Sequence, residues 1–139
     1  MTNGCFDVLH AGHFRYLDAA AQLADRMLVA VNSDASVQRL KGMARPINPL
    51  VARVEVLTSL RAVDWVIAFD DDAPRELIAE IKPDVLVKSG DYDIASIAGA
   101  AEVIAAGGRV LTLPCHPGFS STTTIERAGN GPQSTRVKS

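Results

Sequence analysis

Asn3-Gly-Cys-Phe-Asp-Val-Leu-His-Ala-Gly-His13 is the run on which the reading of this chain turns. A glycine-bearing turn leads here from a strand into a helix, whose free N–H groups and dipole favour a phosphate at its start. Gly4 lets the chain turn tightly. His10 and His13 are three apart and share one face of the opening helical turn, while Gly12 between them removes a side chain where a phosphate could approach. Two imidazoles then address one ligand. The alternative is a zinc pair or two capping histidines, and zinc would need further ligands from His116, Cys5, Cys115 or carboxylates. Cys5 has no implied acid–base partner and is read as a small side chain whose backbone N–H serves the site.

Outward from this run, short apolar stretches alternate with helical patterns. Met27–Val31, Trp65–Phe69, Val85–Val87 and Val110–Leu113 read as buried strands. Between them, roughly 11 to 25, 49 to 61, 73 to 82 and 95 to 106 carry apolar residues at helical spacing, with Pro49 and Pro74 suited to first turns and Gly107-Gly108 to a helix end. This alternation implies a parallel sheet covered on both faces, with ligands beyond the carboxyl ends of the strands. Only Met1 and Thr2 precede Asn3, so the first strand is expected to be truncated. Trp65 is expected in the core and Asp70–Asp72 in a solvated turn. A frayed tail is expected over 129–139, leaving one domain over 1–128.

The 139 residues carry 14 basic and 16 acidic side chains, a formal charge of −2, and 47% hydrophobic content. The charges are interspersed, which argues against a nucleic-acid binder. Two cysteines without metal spacing argue against a disulfide framework, and no apolar run is long enough for a membrane span or shaped like a secretory signal. A soluble, cytoplasmic protein is the expectation.

Three further loops offer chemistry. Lys41 and Arg45 lie in the Gly/Pro-rich stretch Leu40–Pro49, positioned to cover phosphates or merely solvated; Arg53, near the start of the next helix, is a cation facing the positive end of a dipole, which favours an anion nearby. Lys88-Ser-Gly-Asp-Tyr92 leaves a strand with a cation, a glycine and a carboxylate. Pro117–Thr124 gathers hydroxyls at a helix start, either a simple cap or a second phosphate-binding terminus.

Asn3–His13 resembles the GxFDxxHxGH signature of the cytidylyltransferase-like nucleotidyltransferases, and Ser120-Ser-Thr-Thr123 resembles their serine–threonine run. Within that family, Ala30–Asp34, Leu40-Lys-Gly42, Arg45–Pro49, Val63-Asp-Trp65 and Lys88–Tyr92 are most similar to the adenylyltransferases that make ADP-heptose from heptose 1-phosphate. The similarity covers residues 2 to about 127. It implies a Rossmann-like α/β single domain with a five-stranded parallel sheet and helices on both faces. The activity implied is transfer of AMP from ATP to a sugar 1-phosphate with Mg²⁺ and release of pyrophosphate.

By the same resemblance, His10, His13 and Lys41 are catalytic. Asn3, Gly4, Cys5, Phe6, Asp7, Gly12, Arg53, Lys88, Gly90, Asp91, Ser120, Ser121, Thr122 and Thr123 bind the nucleotide, and Asn32 and Asp34 bind the sugar phosphate. The serine–threonine run holds an additional threonine, so its register is open by one residue. A homodimer and a sugar kinase partner, fused or separate, are further implications. The rival expectations are a cytidylyltransferase acting on glycerol 3-phosphate, a nucleotide-binding domain without turnover, and a zinc module.

Overall fold

The computed structural model describes residues 1–131. Strands and helices alternate: β1 (Thr2–Gly4), α1 (Ala11–Ala21), β2 (Leu28–Asn32), α2 (Asp34–Lys41), α3 (Leu50–Thr58), β3 (Trp65–Phe69), α4 (Arg75–Ile81), β4 (Val85–Ser89), a 3-10 turn (Ile94–Ser96), α5 (Ala100–Ala105), β5 (Arg109–Leu113) and α6 (Ser121–Gly129). The expected domain end at 128 falls one residue before α6 ends. Of the expected tail, residues 132–139 lie outside the described residues.

Every strand pairing is parallel, in the order β1-β2-β3 and, separately, β4-β5. The expectation of one five-stranded sheet is thus corrected to three strands plus two. The reason lies at β1, where Met1 carries the contact: its N–H donates to the Val85 carbonyl at 2.7 Å and its carbonyl accepts from the Val87 N–H at 2.9 Å. Beyond it, side chains replace the ladder. The Tyr16 hydroxyl donates to the Val87 carbonyl at 3.1 Å, so it accepts from Thr2 Oγ1 at 2.6 Å. One step further, Lys88 Nζ donates to Asn3 Oδ1 at 3.1 Å.

Alternate strand residues enter two cores, as the period of two requires. Val29, Val31, Val85 and Val87 pack with Tyr16 and Leu17 of α1 and Leu57 of α3; Ala30 and Leu86 pack with Ile78 of α4 and Ala100 and Val103 of α5. Both cores draw on β2 and β4, so helices cover both faces across the break between β1 and β4. At the α5 cap, Gly99 has φ +83°, and a Cβ there would meet the Ile78 side chain at 2.7 Å. Only glycine meets both conditions.

Three local expectations change. The segment after β2 is not all loop, because Ser33 caps Ser36 N–H and starts α2. The helix expected from 95 begins only at Ala100. Trp65 is 55% exposed, in β3, which is an edge strand among the described residues.

Candidate active site

The carboxyl ends of β1, β2 and β4 open into a cavity of about 600 Å³. It lies where β1 and β4 diverge, the switch point at which parallel α/β sheets bind ligands. Of the residues singled out in the sequence, Asn3, Gly4, Cys5, Phe6, Asp7, His10, Gly12, His13, Asn32, Lys41, Lys88 and Ser121 line it. Gly90, Asp91, Asp34, Arg53, Ser120, Thr122 and Thr123 do not. Ser120 instead caps α6, accepting the Thr123 N–H, and Thr122 and Thr123 form the first turn of that helix.

His10 is the N-cap of α1 and His13 its third residue, which brings the two rings to 4.0 Å between centroids. His13 Nδ1 accepts the His10 N–H at 3.2 Å. A neutral His13 therefore carries its proton on Nε2 and is a hydrogen-bond donor there. Burial, reinforced by His10 and Lys41, pushes the His13 pKa down to about 4. Burial also lowers that of His10. At neutral pH the unliganded pair consists of neutral donors; the fixed cations along the cavity are Lys41, Arg45 and Lys88. Lys88 is itself pushed down by burial, partly offset by Cys5.

Gly4 acts differently from expectation. The tight turn after β1 is made by Phe6, at φ +48°, and Gly4 lies in the strand, where a Cβ would come within 3.0 Å of the Phe6 ring. At Gly12 a Cβ would come within 2.9 Å of Phe119 Cβ and 3.0 Å of the His10 ring. That space serves side-chain packing. The Cys5 carbonyl is an acceptor for Arg53, and its Sγ lies 3.8 Å from Asn32 Oδ1.

Arg53 is the larger correction. Its side chain is fully buried and donates to the carbonyls of Asn48, Cys5 and Asn32 at 3.0, 2.8 and 2.7 Å and to Asp34 Oδ1 at 2.7 Å. Asp34 also accepts the Leu50 N–H. Arg53 and Asp34 thus tie the histidine turn, the end of β2 and the start of α3 into one hub behind the cavity.

Asp7 has a similar duty on the cavity wall. Its carboxylate accepts from Arg45 Nε at 2.7 Å and from the N–H groups of Ile47 and Asn48 at 2.9 and 2.8 Å, while Asn48 Nδ2 donates to the Asp7 carbonyl. Burial pushes this carboxyl up, but the Asn48 and Ile47 N–H groups and the Arg45 guanidinium outweigh it, and the net pKa is lowered. A lowered carboxylate adds stability above its unfolded pKa, near 4, that is lost as pH falls through the folded value. Asp7→Asn is expected to lower the urea midpoint at pH 7 and to flatten the acid-side decline; a variant that kept the wild-type midpoint and acid profile would remove Asp7 from this role.

Sequence reasoning missed several wall residues, among them Tyr16, Asp72, Tyr92 and Phe119. Asp72 pairs with Arg39, which also reaches the Asp70 carbonyl, and Ser33 Oγ donates to Asp70. The expected solvated turn therefore also braces α2. Tyr92 packs against Gly90, whose φ is +121° and where a Cβ would meet the ring at 2.7 Å. The GDY spelling was the available signal for that contact.

A family model described as cytidylyltransferase-like matches residues 1–127. The chain is 57% identical over 130 residues to the "Bifunctional protein HldE" of Coxiella burnetii (strain Dugway 5J108-111) and 59% identical over 131 residues to that of Aliivibrio salmonicida, in each case over 94% of this chain. It spans only 27% and 28% of the length of those relatives. Among solved structures, a lipopolysaccharide core biosynthesis protein from Thermoplasma volcanium superposes with a TM-score of 0.67 at 28% identity, covering 84% of this chain and 93% of the other.

Proposed function

Because this chain belongs to the cytidylyltransferase-like family, we propose that it transfers AMP from ATP to a sugar 1-phosphate, heptose 1-phosphate in the first instance, and releases pyrophosphate. The observation that carries this reading is the meeting of the His10–His13 pair, Lys41, Lys88 and Ser121 around one cavity at the sheet's switch point. The HldE name of the relatives and the structural neighbour's place in lipopolysaccharide core biosynthesis support the sugar phosphate as acceptor. A sugar kinase partner, fused or separate, a homodimer and a cytoplasmic setting belong to the same proposal; relatives about three and a half times as long leave room for a further domain.

The chemistry suits such walls. A phosphate monoester is already anionic at neutral pH, so its oxygen can attack the α-phosphorus while pyrophosphate departs in line, and no base need be supplied. The P–O bond to the acceptor forms as that to the leaving pyrophosphate breaks. Catalysis then rests on holding two repelling anions together and stabilising charge on the transferred and leaving groups. The Nε2–H of His13, the start of α1 and Lys41 serve the triphosphate, and Lys88 of β4, bonded to Asn3 of β1, adds a further cation to the cavity.

Among the described residues no group of three or more His, Cys, Asp or Glu side chains could hold a metal ion. Of the cavity carboxylates, Asp7 is occupied by its three donors and Asp72 by Arg39. Mg²⁺ would enter on the triphosphate, neutralising its charge, as this ion commonly does; no step is assigned to it.

Pyrophosphate release, measured with Mg²⁺ and with ATP or CTP against heptose 1-phosphate or glycerol 3-phosphate, tests the reading. Release with ATP and heptose 1-phosphate is the expected result. Release with CTP and glycerol 3-phosphate alone would replace both substrates, and ATP binding without release in any pair would leave a binding domain.

A further inference from the structure

Phe119 is an aromatic residue without a place in either core. It is 41% exposed, sits in the loop ahead of α6, and spends its contacts on the histidine motif. Its ring lies 5.8 Å from that of His10 at an interplanar angle of 20°, a stacked arrangement, and the Arg15 guanidinium lies 5.3 Å from its centroid. Aromatic stacking and a cation over the ring face are each attractive and directional. The close approach depends on Gly12, where any Cβ would strike Phe119 and His10 together. Two residues after Phe119, Ser121 Oγ donates to the Val8 carbonyl at 2.6 Å, so the start of α6 is latched to the turn that carries His10.

Two features of His10 make this contact consequential. Its Nδ1 is buried and has no hydrogen-bond partner among the described residues. A proton there would be an unsatisfied buried donor, which is costly, so the neutral ring keeps its proton on Nε2. His10 is also held less firmly than His13: each ring faces the other residue's backbone N–H in a capping box, but among the described residues only His13 Nδ1 meets its N–H at hydrogen-bond geometry. Packing has to do that work.

We propose that Phe119 is a positioning residue for the reaction: stacked on His10 and backed by Arg15, it holds the imidazole with Nδ1 buried and Nε2–H toward the triphosphate, and couples the starts of α1 and α6. This rests on the nucleotidyl-transfer reading for its role in turnover, though the positioning of the ring is separable from it. It also gives Gly12 a second duty, closing the stack.

The test uses Phe119→Ala, Phe119→Leu and Phe119→Tyr in the full chain. The first readout is the His10 imidazole followed by NMR through a pH titration without nucleotide, with His13 beside it and Arg15 and Lys41 as the nearby cations. In the alanine variant the His10 midpoint is expected to rise toward the ordinary histidine value, because the ring loses its cover. The second is kinetic: kcat should fall between about ten- and a hundredfold, as for a catalytic group displaced by a fraction of its reach, with KM for ATP changing far less. Tyrosine should restore both readouts and leucine neither, with melting temperatures within about 2 °C of one another because the side chain is half exposed.

An unchanged His10 titration in Phe119→Ala would overturn the proposal, as would leucine matching tyrosine. If the wild-type chain releases no pyrophosphate with any substrate pair, the functional reading fails, while the titration still decides whether Phe119 sets the ring.

Discussion

Replacing His13 with alanine is expected to lower turnover by about two to three orders of magnitude, the usual effect of removing one preorganised donor to a developing charge. Stability should fall much less. The imidazole is also the partner of the His10 N–H at the start of α1, so alanine removes a capping bond worth about 1 kcal/mol. His13→Gln separates the two duties, because a glutamine at the third helical position can reach back to the cap as histidine does. Stability close to wild type with turnover still strongly reduced is the expected result. The pH profile adds a sign: a pKa near 4 keeps the imidazole neutral as pH falls from 8 to 5, so this residue should cause no break in kcat/KM near 6.5. Near-full turnover in His13→Ala would remove it from the chemistry.

Arg53→Ala should act on the fold instead. Truncation leaves the carbonyls of Cys5, Asn32 and Asn48 without this buried donor, while the partly exposed Asp34 carboxylate keeps the Leu50 N–H. Each buried acceptor left unsatisfied costs about 1–3 kcal/mol, and the ion pair adds less because Asp34 is partly exposed; the sum is a large share of the roughly 5–15 kcal/mol that holds a domain together. Arg53→Lys should recover part of this, since an ammonium carries the charge but not the planar fork that serves four acceptors at once. Urea and thermal unfolding would measure the loss. Normal stability with selective loss of ATP binding would instead return Arg53 to the ligand, where its position near a helix start had suggested it belongs.

The contrast between these residues shows what could be read from the sequence. Short continuous apolar runs separated by helical spacing gave the parallel α/β class, because burial of both sheet faces leaves that pattern whatever the tertiary detail. The histidine pair was legible too, since a three-residue separation at a helix start fixes a shared face. Arg53 was not, because a helix position identifies a cation's neighbours along the chain but not three carbonyls from other segments. Nor was α2, whose eight residues, Asp34–Lys41, are mostly polar and offer little periodicity. Trp65 was placed in the core because composition cannot tell a central strand from an edge one. The five-stranded sheet failed at β1 for a related reason: how far strands stay paired depends on where side chains such as Tyr16, Asn3 and Lys88 take over.

The Asp7 carboxylate, shared by Arg45 and the backbone of Ile47 and Asn48, has a consequence for descent as well as for acid stability. Groups that depend on a common partner do not contribute additively. A lineage that loses Asp7 leaves Arg45 without its ion pair and the loop without its anchor, and one that loses Arg45 first leaves a buried carboxylate with less to balance it. Either order passes through a weakened ancestor, so substitutions at these two positions should be accepted together or after a compensating change, a form of epistasis written into a single side chain.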